Sequence, residues 1–408
     1  MNRPDCIIYG LGYIGLPTAV YLASKDFNVY GVDISLDIVE GINNCNIETK
    51  EEGLKDMLSL ALKKKRIKAG LEYKKSSTHI IVVPTPFKNK NEPDISIVEN
   101  VARKMGNFLR VGDLVILEST SPVGTTERVR EIIYENRLDL KDKLFFAYCP
   151  ERVLPGRIFE ELRMNDRVIG GIDEESSNKA KLFYSSFVDG NLHLTNARTA
   201  EMCKLVENAS RDVQIAFANE LSIICQKAKI DVWDLIYLAN KHPRVQILSP
   251  GCGVGGHCIA VDPYFIYSQY PLESKIIGQA REINNYKSFW CFEKIQDQIN
   301  SLKQNKENQD VNVAIFGLTF KPDIDDVRES PALEIAKKVL QTYGSKNIKV
   351  CEPNLSKIDN IDLSDFRTSF NQCEIAVFLV NHSIFHSLNI EKSKKNILDF
   401  CGILKNKK

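Results

Sequence analysis

Through the first 195 positions, apolar residues come in short blocks, each followed by a stretch with helical spacing. The blocks are Cys6–Tyr9, Val29–Val32, Ile80–Val83, Leu114–Leu117 and Leu144–Tyr148, most of them rich in Val and Ile and all bounded by turns. Strand-length apolar runs alternating with amphipathic helix predict a parallel, doubly wound sheet.

The pattern changes near Thr199. From there to Ala239 the spacing is helical, with no Gly or Pro, and one long helix is predicted over Glu201–Lys229. A glycine-rich loop follows at Pro250–Gly256, then more helix from Ser274 to Leu302. Asn300–Asp310, NSLKQNKENQD, holds one apolar residue in eleven and reads as a linker or surface turn. A second α/β pattern opens at Val311–Gly317, with further strands at Ile348–Cys351, Ile375–Val380 and Asn396–Phe400. The expected class is α/β: doubly wound sheet domains at 1–196 and 309–408, joined by a central helical domain at 197–308. The two sheet domains share no convincing sequence repeat.

Length and charge narrow the reading. At roughly 150 residues per domain, 408 residues make two or three domains. With 54 Lys and Arg against 53 Asp and Glu, the net charge of +1 gives no argument for nucleic acid or an anionic membrane as partner. Lys63-Lys64-Lys65-Arg66 is short and reads as a solvated helix face. No run approaches the ~18 apolar residues of a membrane span. The N-terminus enters the first strand without the features of a secretory signal, so the expected location is the cytoplasm. The 11 cysteines form no C-x-x-C pair and the 6 histidines do not cluster, so neither a zinc site nor a disulfide framework is expected.

Gly10-Leu11-Gly12-Tyr13-Ile14-Gly15 follows the first strand and precedes a helix. The first glycine allows a tight turn, the second lets a pyrophosphate approach the backbone, and the third lets helix and strand pack closely. Asp33, at the end of the second strand, stands where an acid binds the ribose 2′-hydroxyl of NAD and repels the 2′-phosphate of NADP. A structural turn with a solvated strand end is the plainer alternative. Pro84-Thr85-Pro86 and the loop Glu118–Thr126, which contains Thr120, follow later strands, where open α/β sheets bind ligands.

Candidate chemistry lies further on. Glu201, Lys204, Asn208 and Asp212 share one helix face. Lys204 and Asn208 could hold a developing oxyanion, or the face could be an exposed polar stripe. The loop Pro250–Gly256 has four glycines in seven residues, able to press against a ligand and offer amides to an anion. Cys258 follows it as a candidate nucleophile, with Asp262 one turn beyond, and His257 reads as structural. Glu151, just after the fifth strand, could activate water or form a salt bridge with Arg152 or Arg157. Lys321 and Arg328, after a strand of the second sheet domain, could hold a diphosphate, with Ser330 capping the next helix.

In this order these motifs resemble the UDP-glucose/UDP-N-acetylmannosamine dehydrogenase family over nearly the whole chain. The pieces that carry the resemblance are GLGYIGLPTA from Gly10, ESTSPVGTT from Glu118, CPERVLPG from Cys149, GVGGHCIAVDP from Gly253 and GLTFKPDIDDVRESPA from Gly317. The resemblance implies two Rossmann-like domains around a helical one, and oxidation of a UDP-sugar C6 alcohol to the acid in two hydride transfers to NAD. It implies that Cys258 forms a thiohemiacetal and then a thioester, with Lys204 and Asn208 stabilising oxyanions. Asp262 would serve proton transfer with Lys204 and a water, Glu151 would help water attack the thioester, and Thr120 would sit near the nicotinamide. Glu151, Arg152, Lys204, Asn208, Gly255, Lys321 and Arg328 would contact the UDP-sugar. The central helices would form a homodimer, with Arg244 reaching the neighbouring subunit's sugar. HPRV at His242–Val245, together with the cysteine loop, points to UDP-N-acetylmannosamine, with UDP-N-acetylglucosamine or UDP-glucose as alternatives, and to surface polysaccharide biosynthesis. One departure is Cys252, where the family usually has proline, which would loosen the loop and add a second thiol. A two-electron hydroxyacid dehydrogenase of the 6-phosphogluconate type would lack the Cys258 loop and the second sheet domain. A catalytically silent nucleotide-binding protein would require a lost catalytic group, and none is lost.

Overall fold

The computed structural model describes residues 4–49, 51–88, 91–153, 156–307, 309–390 and 392–404. Leu154 and Pro155 of the CPERVLPG motif, and Asn308 of the expected linker, lie outside them. The chain divides into two compact units, Met1–Val206 and Glu207–Lys408. The helix Ala197–Ala228 crosses that division.

The first unit is built on an eight-stranded sheet. Its order is Leu192–Asn196, Arg167–Gly171, Phe145–Tyr148, Leu114–Leu117, Thr78–Ile81, Cys6–Tyr9, Val29–Val32, Ile67–Gly70. The six strands from Phe145–Tyr148 to Ile67–Gly70 are parallel. Arg167–Gly171 runs antiparallel to Phe145–Tyr148, and Leu192–Asn196 follows it in parallel. The central strands are buried throughout because helices cover both faces, as apolar parallel strands require. The order reverses between Cys6–Tyr9 and Thr78–Ile81, which opens a crevice at their carboxyl ends.

Several features differ from the sequence reading. The strand expected at Ile80–Val83 lies at Thr78–Ile81, because buried Thr78 and His79 pair with Cys6 and Ile7 and leave Val82 and Val83 to the following loop. Ile67–Gly70, Arg167–Gly171 and Leu192–Asn196 are further strands. Ile67–Gly70 and Leu192–Asn196 are the sheet's edges, where one side meets solvent and a continuous apolar run is not needed, while Arg167–Gly171 lies between two strands and is masked in sequence by its opening Arg and closing Gly-Gly. The outer two strands on one side also make the sheet mixed rather than wholly parallel.

The second unit contains its part of Ala197–Ala228, the helices Val232–Ala239, Asp262–Gln269 and Lys275–Asn305, and a four-stranded parallel sheet. That sheet has the order Ile348–Cys351, Val313–Phe316, Ile375–Phe378, Asn396–Asp399 and also reverses direction, beside its first strand. The helix Lys275–Asn305 takes in the first half of the expected linker. Its last turns carry few apolar residues, but Ile299 and Leu302 still reach the core of the second unit. A buried polar ladder joins the two long helices within this unit. Asp212 pairs with Arg281 at 2.7 Å, Asn284 Nδ2 donates to the same carboxylate at 2.8 Å, Asn219 Nδ2 donates to Asn284 at 2.9 Å, and Lys287 Nζ donates to Ser222 Oγ at 2.7 Å. Asp212 thus has a structural partner and leaves the candidate polar face. Among the described residues no helix is long and apolar enough to cross a membrane.

Candidate functional site

The first turn is shaped for a ligand's phosphates. Gly10 has φ +93°, and a Cβ there would meet the Val82 carbonyl oxygen at 2.4 Å. A Cβ on Gly15 would lie 1.9 Å from the Gly10 oxygen, so both positions require glycine for close approach within the fold. At Gly12 nothing lies within 4 Å, so its backbone faces open space. The helix Gly15–Ser24 begins without a side-chain cap or an acidic residue in its first turn, leaving its dipole available to an anion. Asp33 is half-buried. It accepts the Leu11 amide at 2.9 Å through Oδ2 and the Ser35 amide at 3.0 Å through Oδ1, which fixes the carboxylate beside the turn. The residues fit a dinucleotide. Exposed Tyr13 donates its hydroxyl to buried Glu51 at 2.5 Å, and Glu51 also accepts the Gly156 amide at 2.7 Å. Thr85 Oγ1 donates to the Thr120 carbonyl at 2.7 Å, tying the two crevice loops together, while Pro84 is exposed.

Beneath these loops lies a buried carboxylate cluster. Glu151 pairs with Arg167 at 2.7 Å, both side chains below a tenth exposed, and accepts the Arg152 amide at 2.7 Å. Its ion-pair partner is therefore neither Arg152, whose guanidinium donates to the Asp166 carbonyl, nor Arg157, which pairs with Glu160. The strand Arg167–Gly171 brings the arginine alongside. Glu118 accepts the Tyr184 hydroxyl at 2.5 Å, while its other oxygen is buried without a hydrogen bond. Burial, then the charge of Glu151, pushes the Glu118 carboxyl up to about 7, against the pull of Arg167 and the Tyr184 hydrogen bond. Burial likewise pushes the Cys149 thiol up to about 12.

The helix face resolves into two kinds of residue. Glu201 is fully buried and caps the helix Thr125–Asn136, accepting the Gly124 amide at 2.6 Å, the Thr126 amide at 2.8 Å and the Thr126 hydroxyl at 2.7 Å. It joins Asp212 as a structural residue. Lys204 and Asn208 are half-buried, one turn apart. Asn208 Nδ2 donates to Asp262 Oδ2 at 2.5 Å, and the Asp262 amide donates to the Cys258 carbonyl at 2.8 Å. In the second unit the structure thus joins Asn208, Cys258 and Asp262. Cys258 is half-buried and Asp262 buried.

The glycines before Cys258 serve the chain's own packing. A Cβ on Gly255 would lie 2.4 Å from the Glu329 oxygen and 2.8 Å from Phe320 Cβ, and one on Gly256 would lie 2.9 Å from the Phe320 ring. The sequence reading gave this space to a ligand. Instead the loop presses on the segment that carries Lys321 and Arg328, and Gly256 N donates to the Arg328 carbonyl at 3.1 Å. Cys252 is buried in the core, its thiol near the Leu379 carbonyl, and burial pushes it up to about 12, so the second thiol is held protonated.

The second sheet has a comparable turn. Gly317 has φ +89°, and the Leu318 amide donates to Glu352, at the end of the next strand, at 2.7 Å. Lys321 is exposed. The Arg328 guanidinium lies against Asp326 at 2.6 Å, and Ser330 caps the helix Pro331–Tyr343 as expected. Arg244 is exposed in the loop after Val232–Ala239. Arg167, Tyr184, Glu51, Glu352 and His382 escape sequence reasoning. Each sits in an unremarkable local context and gains its role from a partner more than fifteen residues away.

Three family descriptions match the chain in order. Residues 5–188 match the NAD binding domain, 198–286 the central domain and 314–406 the UDP binding domain of the UDP-glucose/GDP-mannose dehydrogenase family. The chain is 44% identical to the UDP-N-acetyl-D-mannosamine dehydrogenase of Yersinia pestis, covering 99% of this chain and 100% of that one. It is 46% identical to the Campylobacter jejuni protein of the same name, covering 97% and 98%. Among solved structures it resembles the UDP-N-acetyl-mannosamine dehydrogenase of S. aureus, with 37% identity, TM-score 0.86 and coverage of 98% and 96%.

Proposed function

The chain belongs to the UDP-glucose/GDP-mannose dehydrogenase family, and from that premise we propose that it oxidises UDP-N-acetyl-D-mannosamine to UDP-N-acetyl-D-mannosaminuronic acid. It is an NAD-dependent UDP-sugar dehydrogenase, an oxidoreductase of nucleotide sugars. The choice of sugar rests on the curated relatives, and UDP-N-acetylglucosamine or UDP-glucose would use the same chemistry. The observation that carries the mechanism is the 2.5 Å bond from Asn208 on the long helix to Asp262, which stands one turn after Cys258 and donates its amide to the Cys258 carbonyl at 2.8 Å.

NAD, when bound, would supply the hydride acceptor for both oxidations. The turn from Gly10 through Gly12, Tyr13 and Ile14 to Gly15 would hold its pyrophosphate and Asp33 its adenosine ribose, and Pro84, Thr85 and Thr120 would flank the nicotinamide end. Asp262, with Lys204 and a water, takes the proton from the C6 alcohol as it becomes the aldehyde. The Cys258 thiol adds to that aldehyde, giving a thiohemiacetal whose oxidation leaves a thioester. Asn208 and Lys204 donate to the oxyanion at each tetrahedral stage. Glu151 accepts a proton as water attacks the thioester, releasing the acid and restoring the thiol. Arg152, Lys321 and Arg328 contact the UDP-sugar, as does the backbone of Gly255, whose Cβ side is occupied by Glu329 and Phe320.

The central helices form the homodimer interface in this reading. Support comes from Phe217 and Ile224, two turns apart on the long helix and about half exposed, an arrangement that leaves apolar surface to cover. Arg244 then reaches the partner's sugar. In this reading the enzyme works in the cytoplasm and its product feeds surface polysaccharide biosynthesis. The test is NADH yield with limiting UDP-N-acetylmannosamine, UDP-N-acetylglucosamine and UDP-glucose in parallel. Two NADH per UDP-N-acetylmannosamine, with little turnover of the others, is expected. Two NADH from another sugar would overturn the substrate, and one NADH would overturn the role of Cys258.

A further inference from the structure

The turn after Val313–Phe316 is held by two buried polar side chains. Glu352 is 4% exposed and His382 fully buried. Glu352 Oε2 accepts the Leu318 amide at 2.7 Å, the Thr319 amide at 3.3 Å and His382 Nε2 at 3.0 Å, and its Oε1 accepts the Asn354 amide at 3.0 Å. His382 Nδ1 accepts the Asp323 amide at 2.9 Å. A backbone N–H can only donate, so Nδ1 carries the lone pair and the ring proton sits on Nε2, facing Glu352.

These bonds bracket one exposed cation. Leu318 and Thr319 are fixed by Glu352, and Asp323 by His382. Between them the Thr319 hydroxyl donates to the Lys321 carbonyl at 2.8 Å. The Asp323 carboxylate, at a residue with φ +58°, accepts the Ser383 amide at 2.8 Å and its hydroxyl at 2.5 Å. Without these contacts, six residues with an exposed lysine at their tip would sample many shapes. Ordering them only on binding would cost affinity. Burying a carboxylate and an imidazole is expensive unless both are satisfied, and here every contact they make goes to this turn or to the loops that brace it.

We propose that Glu352 and His382 are a positioning pair that preorganises the Lys321 turn to receive a nucleoside diphosphate. The proposal rests on the reading that Lys321 contacts the UDP moiety. The pair raises affinity for the nucleotide and takes no part in hydride transfer or thioester chemistry. Its effect therefore falls on KM for the sugar nucleotide and leaves kcat alone.

The test uses the full chain and UDP as the probe. His382→Gln keeps a donor toward Glu352 but removes the acceptor for Asp323. His382→Asn keeps an acceptor near Nδ1 but cannot reach Glu352. In titration calorimetry, each substitution is expected to weaken UDP binding at least about tenfold, the scale of one lost buried hydrogen bond. KM for the UDP-sugar rises by a similar factor, while kcat and NAD affinity stay within about twofold. Lys321→Ala should weaken UDP binding as well. Unchanged UDP affinity in folded His382→Gln and His382→Asn would overturn the pair's role, as would equal losses in kcat and NAD affinity. Unchanged affinity in Lys321→Ala, with the wild type binding UDP, would instead overturn the reading of Lys321.

Discussion

Replacing Glu118 with glutamine should remove a pH-dependent loss of stability from the first unit. Glu118 is fully buried, and its carboxyl rises from an ordinary 4.5 to about 7, chiefly through burial and then through the charge of Glu151. The folded state therefore binds this proton more tightly than the unfolded chain between those two pH values. An acid raised in this way lowers stability as pH increases across that window, and the loss is complete above about 7. At ~1.4 kcal/mol for each pH unit, the loss is about 3 kcal/mol. The introduced amide is a neutral isostere that still accepts the Tyr184 hydroxyl, so the comparison isolates the charge. Because the chain has two compact units, a global midpoint would mix signals. Hydrogen exchange at the amides of Leu114–Leu117, measured for both proteins at matched pH, reports the right unit. The advantage of Glu118→Gln over wild type should grow by about 3 kcal/mol from about pH 4.5 to pH 8 and then level. A difference that stays flat with pH would refute the assignment of a neutral, buried Glu118.

Two further outcomes follow from the same unit. Gly12→Ala should fold with wild-type stability and lose NAD affinity, because a Cβ there meets nothing in the protein, whereas Gly15→Ala should cost ~1–3 kcal/mol because its Cβ would lie 1.9 Å from the Gly10 oxygen. Thermal midpoints and NAD titrations separate the two. Arg167→Met should destabilise the fold by ~3–5 kcal/mol by leaving Glu151 buried without its cation, and Glu151→Gln in the same chain should recover part of that, read as a double-mutant cycle.

The sequence showed the glycine turn, both sheets, the long helices and the residues around Cys258 because each has a local signature: an apolar run, a helical period or a glycine at a forced position. The rest depends on partners remote in the chain. Glu201 stands in a polar helix face next to Lys204, and nothing local separates a carboxylate that caps the helix Thr125–Asn136 from one that meets a substrate. Asp212 is the same case, settled by Arg281 on another helix. The glycines of Pro250–Gly256 were legible as a close approach, but the approaching group is Phe320 and Glu329 of this chain. A glycine records that something comes near, not what does. Arg167 opens a short strand, RVIGG, whose charged first residue and closing glycines leave no continuous apolar run, so the partner of Glu151 was hidden together with the strand.

The two switch-point turns explain why one fold repeated in a chain can take different nucleotides. Both begin with Gly-Leu after the first strand of their sheet, both glycines have φ near +90°, and in both the leucine amide donates to an acid at the end of the next strand, Asp33 or Glu352. They diverge after the leucine. In the first, Gly12 leaves open space and a helix starts at Gly15, so a pyrophosphate can settle on the helix N-terminus while half-exposed Asp33 has capacity left for a ribose. In the second, Thr319 replaces that glycine and the helix waits until Pro331, already capped by Ser330. Glu352 is closed off by His382. With its acid sealed and its helix end capped, the second turn lacks the open acid and uncapped helix end of the first, and it carries an exposed cation, Lys321. The repeat is therefore visible in hydrogen bonds and invisible in sequence, because only the glycine and the leucine are shared.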